Sequence, residues 1–232
     1  MASDNLIKEK LNRPFKDYEL YIFDLDGTLY FQKPFRIRMA VYLATHVLTH
    51  PLAVKDVFII KKYREVREKW DEIDADGFMK DTNLSMEDRQ YAYVAMKMKV
   101  SMERVKDAVE FFMMKAPLSI LPGYVDEELR KIIHELRESG KKIVIYSDYP
   151  VEDKLSALEI KSDGNYTSGD ERIGVMKPDK KGIEVILSDF SISPENAVMI
   201  GDRYEKDALA AIANEVDYII LSSKKRKRKY GN

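Results

Sequence analysis

Glu19-Leu20-Tyr21-Ile22-Phe23-Asp24-Leu25-Asp26-Gly27-Thr28 is the stretch from which the rest of this chain is read. Its first half is a short apolar, aromatic-rich run, and it stops at an Asp-x-Asp-Gly turn. That pattern predicts a buried strand with acidic residues at its C-terminal end.

Outward from this strand the pattern divides. From Pro34 to about Pro117 apolar residues recur at three- and four-residue spacing, predicting helices over 35–49, 54–70, 86–99 and 102–115 with no strand signal between them. From Pro122-Gly123 onward strands and helices alternate: helix 125–138 closed by Gly140, strand 142–146, helix 151–158, helix 179–190, strand 197–200, helix 206–213 and strand 218–221. Asp163-Gly164-Asn165 and Gly169-Asp170 read as turns. The expectation is an α/β core, a doubly wound parallel sheet with helices on both faces, built from 1–32 and 118–232. A helical domain, 33–117, is inserted into it. Ligands of such sheets bind beyond the carboxyl ends of the strands, so those ends are the places to look for chemistry.

Three of them carry polar residues of one type. Asp24 and Asp26 follow the first strand, Ser147 follows 142–146, and Gly201-Asp202 follows 197–200, while Lys177 precedes Pro178 and a helix. Converging Asp24, Asp26 and Asp202 is unfavourable without a neutralising cation, and a hard oxygen-seeking ion such as Mg²⁺ fits carboxylates, a carbonyl and a phosphate oxygen. Ser147 and Lys177 supply a hydroxyl and a positive charge for a phosphoryl group. Asp26, held neutral among other acids, is the expected proton donor to an ester leaving group and then the base toward water.

Composition limits the alternatives. The 232 residues are 45% hydrophobic, enough for one good-sized core, and the absence of cysteine excludes disulfides, thiolate metal sites and cysteine nucleophiles. Residues 1–14 are charged and lack the apolar region of a secretory signal, and no run is long enough to span a bilayer, so a soluble, cytoplasmic protein with no membrane partner is expected. Six of the 39 basic residues form Lys224–Lys229, leaving 33 against 40 acids elsewhere. No aromatic side chain interleaves within that run to stack bases, and it reads as a solvated terminus rather than a nucleic-acid site.

In this order, Asp24-Leu25-Asp26-Gly27-Thr28, Ser147, Lys177-Pro178 and Gly201-Asp202-Arg203-Tyr204-Glu205-Lys206-Asp207 resemble the four motifs of the haloacid dehalogenase-like (HAD) superfamily, over 18–221. The resemblance implies a Rossmann-like core and an aspartyl-phosphate intermediate on Asp24, hydrolysed by water that Asp26 activates. It implies Mg²⁺ held by the Asp24 carboxylate, the Asp26 carbonyl and Asp202, phosphate held by Gly27, Thr28, Ser147 and Lys177, and Asp207 orienting Lys177 or metal-bound water. The inserted helices resemble the C1-type cap that closes over the active site. The expected function is hydrolysis of a small-molecule phosphomonoester, with a phosphomutase or phosphotransferase, or a non-catalytic binding protein, as alternatives. Asp26 disfavours halide release, because the dehalogenase branch lacks an acid there. Asp148 departs from the family, which commonly has Asn after the second-motif hydroxyl; beside a phosphate it repels unless it points away or pairs with a cation.

Other signals are discounted. Arg36, Arg38, Arg64 and Arg67 are candidates for an anionic leaving group, although most arginines on such helices are simply solvated. Glu72 to Gly77 imitates half of a calcium loop, but Asn83 stands where the closing Glu belongs, so an acidic loop is expected. His46 and His50 have zinc spacing without a third ligand, and the Met-rich 96–98 and 111–114 read as packing.

Overall fold

A computed structural model of the chain describes residues 6–80 and 82–221, so the basic run Lys224–Lys229 lies outside the described residues. The chain leaves one compact unit after Pro34 and re-enters it at Leu121; the intervening Phe35–Ile120 forms a second unit.

The first unit begins with β1 (Leu6–Lys10) and β2 (Leu20–Phe23). The second contains most of α1 (Gln32–Thr49), then α2 (Val54–Glu68), α3 (Trp70–Ala75), α4 (Met86–Met98), α5 (Met102–Val109) and the single turn α6 (Ala116–Leu118). Back in the first unit follow α7 (Glu127–Glu138), β3 (Lys142–Ser147), α8 (Glu152–Leu158), β4 (Gly164–Thr167), α9 (Lys181–Phe190), β5 (Ala197–Gly201), α10 (Leu209–Ile212) and β6 (Asp217–Leu221).

The strands form one sheet in the order β1-β6-β5-β2-β3-β4, in which β2 to β6 are parallel and β1 runs antiparallel along β6. Strands buried on both faces read as continuous apolar runs, as β2 and β5 do: every residue of each is buried. Leu20, Ile22, Val144, Tyr146 and Met199 share one face with Ile183, Ile186 and Leu187 of α9 and with Ala210 and Ala211 of α10. α7 packs against β3, its apolar stripe Leu129, Ile133 and Leu136 buried. α7 is bounded as its sequence dictates: the Asp126 carboxylate caps the Leu129 amide at 3.1 Å, and Gly140 takes φ +84° just past the end.

The register positions the chemistry. Phe23 pairs with both Ile145 and Ile200, so β2, β3 and β5 end side by side. Asp24 is one residue past that line, Ser147 two past it on β3, and Asp202 two past it on β5. The order of connections reverses on either side of β2, the place where open parallel sheets form a crevice.

Two strands escaped the sequence reading. The turn expected at Asp163-Gly164-Asn165 runs into a strand instead: Gly164–Thr167 pairs with Val144–Ser147 as the outer strand. Only Tyr166 of the four is buried, so no apolar run marks it; pairing along β3 rather than propensity makes it a strand. β1 is likewise an edge strand, antiparallel to β6. In the helical unit the acidic segment expected as a loop begins as the helix α3, with Asp74 paired to Arg89 and Lys80. Arg67 is also not a surface cation. It is 4% exposed inside the helical unit, donating to the Tyr63 hydroxyl at 3.0 Å and the Gln90 carbonyl at 2.7 Å, whereas Arg36, Arg38 and Arg64 are exposed. His46 and His50 stack ring on ring at 4.5 Å.

The start of β6 is tied to the N-terminal segment by one carboxylate. Asp217, 3% exposed, accepts the Tyr18 hydroxyl at 2.5 Å and the backbone and side-chain nitrogens of Asn12 at 2.7 Å each. Tyr18→Phe leaves that buried carboxylate one donor short, and a loss of about 1–3 kcal/mol in urea unfolding is expected. An unchanged midpoint would mean that the tie carries no stability.

Candidate active site

Every residue in this site belongs to the first unit. Asp24 lies one residue past β2, with its backbone N–H donated to Ile200 O at 2.8 Å. Its carboxylate is held from two sides, by Lys177 Nζ on Oδ1 at 2.7 Å and by the Thr28 hydroxyl on Oδ2 at 2.9 Å. Lys177 also donates to Asp207 Oδ1 at 2.6 Å, and its side chain is almost wholly buried.

The two acids nearest Asp24 arrive from the segment after β5. That segment passes through one π-helical turn, Tyr204–Ala208, of a kind common at functional sites. The turn aims Asp207 back at the strand end, where its Oδ2 accepts the amides of Asp202 and Arg203 at 3.2 and 3.0 Å. Gly201 permits this, because a Cβ there would lie 2.2 Å from that oxygen. Gly27 has φ +103°, and a Cβ on it would lie 2.2 Å from Asp202 Oδ2, so only glycine lets the loop after β2 close onto Asp202.

Asp24, Asp202 and Asp207 each place a carboxylate oxygen within 4.8 Å of the others. Among the described residues this is the one cluster able to hold a metal, and its all-oxygen donors suit a hard divalent cation. Both Asp207 oxygens accept from Lys177 and the two amides, and both Asp24 oxygens accept from Lys177 and Thr28, so an ion held here shares these carboxylates with protein donors. The crowding is electrostatic as well as steric. Burial, reinforced by Asp207 and Asp202, outweighs the attraction of Lys177 and pushes the Asp24 carboxyl up to about 8. Lys177 is driven the other way by its burial, but Asp207 and Asp24 overcome this and hold it charged, well above the ordinary lysine value.

The remaining expected residues are also gathered at this edge, with tasks the sequence did not reveal. Ser147, 1% exposed, accepts the Tyr149 amide at 3.2 Å, and its O–H proton remains a donor. Thr28, expected on the phosphate, has its hydroxyl on Asp24 and its amide on Leu25 O at 3.2 Å. Asp148 does not face a phosphate as a bare charge: its Oδ1 accepts the Lys177 amide at 3.0 Å, and its Oδ2 lies 3.8 Å from Arg203. Lys206 donates to Lys177 O at 2.5 Å, so the segment carrying Lys177 is held from both sides. The following helix begins at Lys181, later than Pro178 suggests, after a cis Lys177-Pro178 bond.

Asp26 corrects an expectation. Instead of a neutral carboxyl among acids, it is a carboxylate bound to Lys154, whose Nζ lies 2.8 and 3.0 Å from its two oxygens, with the Tyr30 hydroxyl donating to Oδ1 at 2.6 Å. Burial works to raise its pKa, but the Lys154 charge and these hydrogen bonds prevail and hold it below the ordinary carboxylate value. The sequence offered no signal for Lys154, which is one of several lysines on amphipathic helices.

These groups lie together at the ends of parallel strands in an α/β fold. A family model of haloacid dehalogenase-like hydrolases matches residues 18–214, and the chain belongs to that family. It is 31% identical over 106 residues to enolase-phosphatase E1 of Anopheles gambiae, a match covering 44% of this chain and about a third (35%) of that relative's length. In fold it is similar to 2-haloacid dehalogenase from Pseudomonas syringae pv. Tomato DC3000 (16% identity, 87% and 85% of the two chains, TM-score 0.59). It is also similar to the HAD-hydrolase YfnB of Bacillus subtilis, whose structure contains magnesium (13% identity, 87% of each chain, TM-score 0.58). Among the described residues no helix is long and apolar enough to cross a membrane.

Removing the central cation tests the electrostatic account. In buffer free of divalent cations, Lys177→Met leaves Asp24 and Asp207 buried without their counter-charge, and a loss of about 3 kcal/mol in denaturant unfolding is expected at neutral pH. The sign with pH follows from the raised Asp24 value. Losing the Lys177 charge raises the Asp24 value further, and a carboxyl that is neutral in both proteins adds no difference, so the Asp24 part of the deficit opens as pH rises through about 8 and is absent well below it. A deficit that grows on acidification would contradict this.

Proposed function

We propose that the protein is a Mg²⁺-dependent phosphatase that hydrolyses a small-molecule phosphomonoester through a covalent phosphoryl-enzyme on Asp24. The observation that carries this reading is the pairing of a doubly held nucleophile with a second acid two residues away: Asp24 is fixed by Lys177 and Thr28, and Asp26 is fixed by Lys154 and Tyr30. The match to an enolase-phosphatase supports a phosphate ester, and magnesium in the YfnB structure supports the cation.

The residues divide the work as follows. Asp24 and Asp202, with the Asp26 backbone carbonyl, would hold Mg²⁺, which when bound supplies positive charge to acids and phosphoryl oxygens that otherwise repel. Lys177 and the Ser147 hydroxyl meet charge on the transferring group. An Asp24 oxygen attacks phosphorus, the ester P–O bond breaks, and the departing oxygen takes a proton from Asp26, which rests ionised against Lys154 and must take up that proton before this step. Water then attacks phosphorus while Asp26 takes its proton, which restores Asp24 and frees inorganic phosphate. We assign the choice of ester to the helical unit inserted between the first two motifs.

A halide leaves without a proton, so dehalogenation gives the second acid no task; the Lys154-Asp26-Tyr30 arrangement therefore favours ester chemistry over that of the dehalogenase relative. The test is release of phosphate from an aryl phosphate with Mg²⁺, with chelator, and for Asp24→Asn. Activity is expected only with the cation and falls by at least about 10³-fold in the variant. A wild-type protein inert toward a broad phosphomonoester panel would sink the proposal, and isomerisation of a sugar phosphate faster than phosphate release would replace it with a mutase.

A further inference from the structure

Lys154 is the strongest feature that the site motifs do not include. It lies on α8, beyond the second-motif segment, and is 9% exposed. Its Nζ reaches both oxygens of Asp26, at 2.8 and 3.0 Å, and lies 5.6 Å from the centre of the Tyr149 ring. Tyr30, 3% exposed, donates its hydroxyl to the Oδ1 that Lys154 contacts more closely, at 2.6 Å. Tyr30 is itself anchored by backbone pairing with Val125, and its neighbour Phe31 donates to Tyr124 O at 2.8 Å.

Withdrawing a lysine and an aspartate from water costs several kcal/mol, which attraction offsets only when the geometry is good and the remaining polar atoms are satisfied. Here both carboxylate oxygens are gripped, one of them twice, by donors from separate elements. A side chain held at both oxygens loses its rotation about the last bond. The Asp26 carboxyl therefore has one orientation, set by residues outside the Asp-x-Asp motif.

We infer that Lys154 and Tyr30 are positioning residues that aim the Asp26 carboxyl at the ester oxygen for proton transfer. The inference rests on the reading of Asp26 as acid and base, and it adds the parts that fix the orientation of that carboxyl. A purely structural ion pair would affect folding, or all substrates evenly. A positioning pair acts selectively on esters whose leaving group needs a proton, because a misplaced reacting group costs rate where its transfer is in the barrier.

The test is single-turnover hydrolysis, with Mg²⁺, of phosphate esters running from acidic aryl to alkyl leaving groups. Wild type is compared with Lys154→Met, Lys154→Arg, Tyr30→Phe and Asp26→Asn. The expected result is a steeper dependence of rate on leaving-group acidity in Lys154→Met and Tyr30→Phe, in the same sense as in Asp26→Asn. Alkyl esters lose about 10- to 100-fold more than aryl esters, with partial recovery in Lys154→Arg. Tyr30→Phe removes a single hydroxyl and carries the test if Lys154→Met fails to fold. A uniform loss across the series, or faster alkyl hydrolysis, with Asp26→Asn steep would overturn the positioning role and leave the Asp26 reading standing. A shallow Asp26→Asn would remove the acid–base reading and this inference with it.

Discussion

Lys177 Nζ lies 2.7 Å from Asp24 and 2.6 Å from Asp207, and the rest of the site is arranged around that buried charge. Without it, acids from two strand ends would meet with no ammonium between them. Its backbone is as constrained as its ammonium group: Asp148 accepts its amide and Lys206 donates to its carbonyl. Asp148, out of place by family habit, thus acts on the lysine rather than on a phosphate. Even so, one ammonium does not balance Asp24, Asp202 and Asp207. Burial above all, with Asp207 and Asp202 adding to it, raises the Asp24 pKa, and a divalent cation is what the donor set suits.

The sheet makes this convergence possible. Parallel pairing of β2 with β3 and β5 brings three loops to one edge, and the matching register of Phe23, Ile145 and Ile200 sets their heights. Two glycines then allow contact closer than any side chain would: Gly27 against Asp202 and Gly201 against Asp207. In physical terms the fold delivers the acids, the glycines bring them close, and Lys177 makes their closeness tolerable.

Much of this was legible because the relevant residues interrupt strong patterns. Asp24 ends an all-apolar strand, Ser147 and Gly201-Asp202 end two more, and acids at the ends of buried strands call for a chemical reason. The illegible parts lack such contrast. β4 is polar, and only its pairing with β3 defines it. Arg67 reads as a surface cation, yet it is buried against Tyr63 and Gln90. Lys154 and Tyr30 depend on a meeting between residues 128 and 4 positions from Asp26, and no sequence spacing announces the first. The charge state of Asp26 is hidden for the same reason: the sequence shows the acids nearby but not the lysine.

The central claim is that Asp24 carries the phosphoryl group. It is tested most directly by acid quench of the protein during turnover of a phosphomonoester with Mg²⁺, followed by peptide mass analysis. The account predicts one phosphoryl adduct, labile in alkali, on the peptide containing Asp24 and absent in Asp24→Asn. Phosphate release that proceeds with no adduct in wild type, or with an adduct on a different residue, would contradict it.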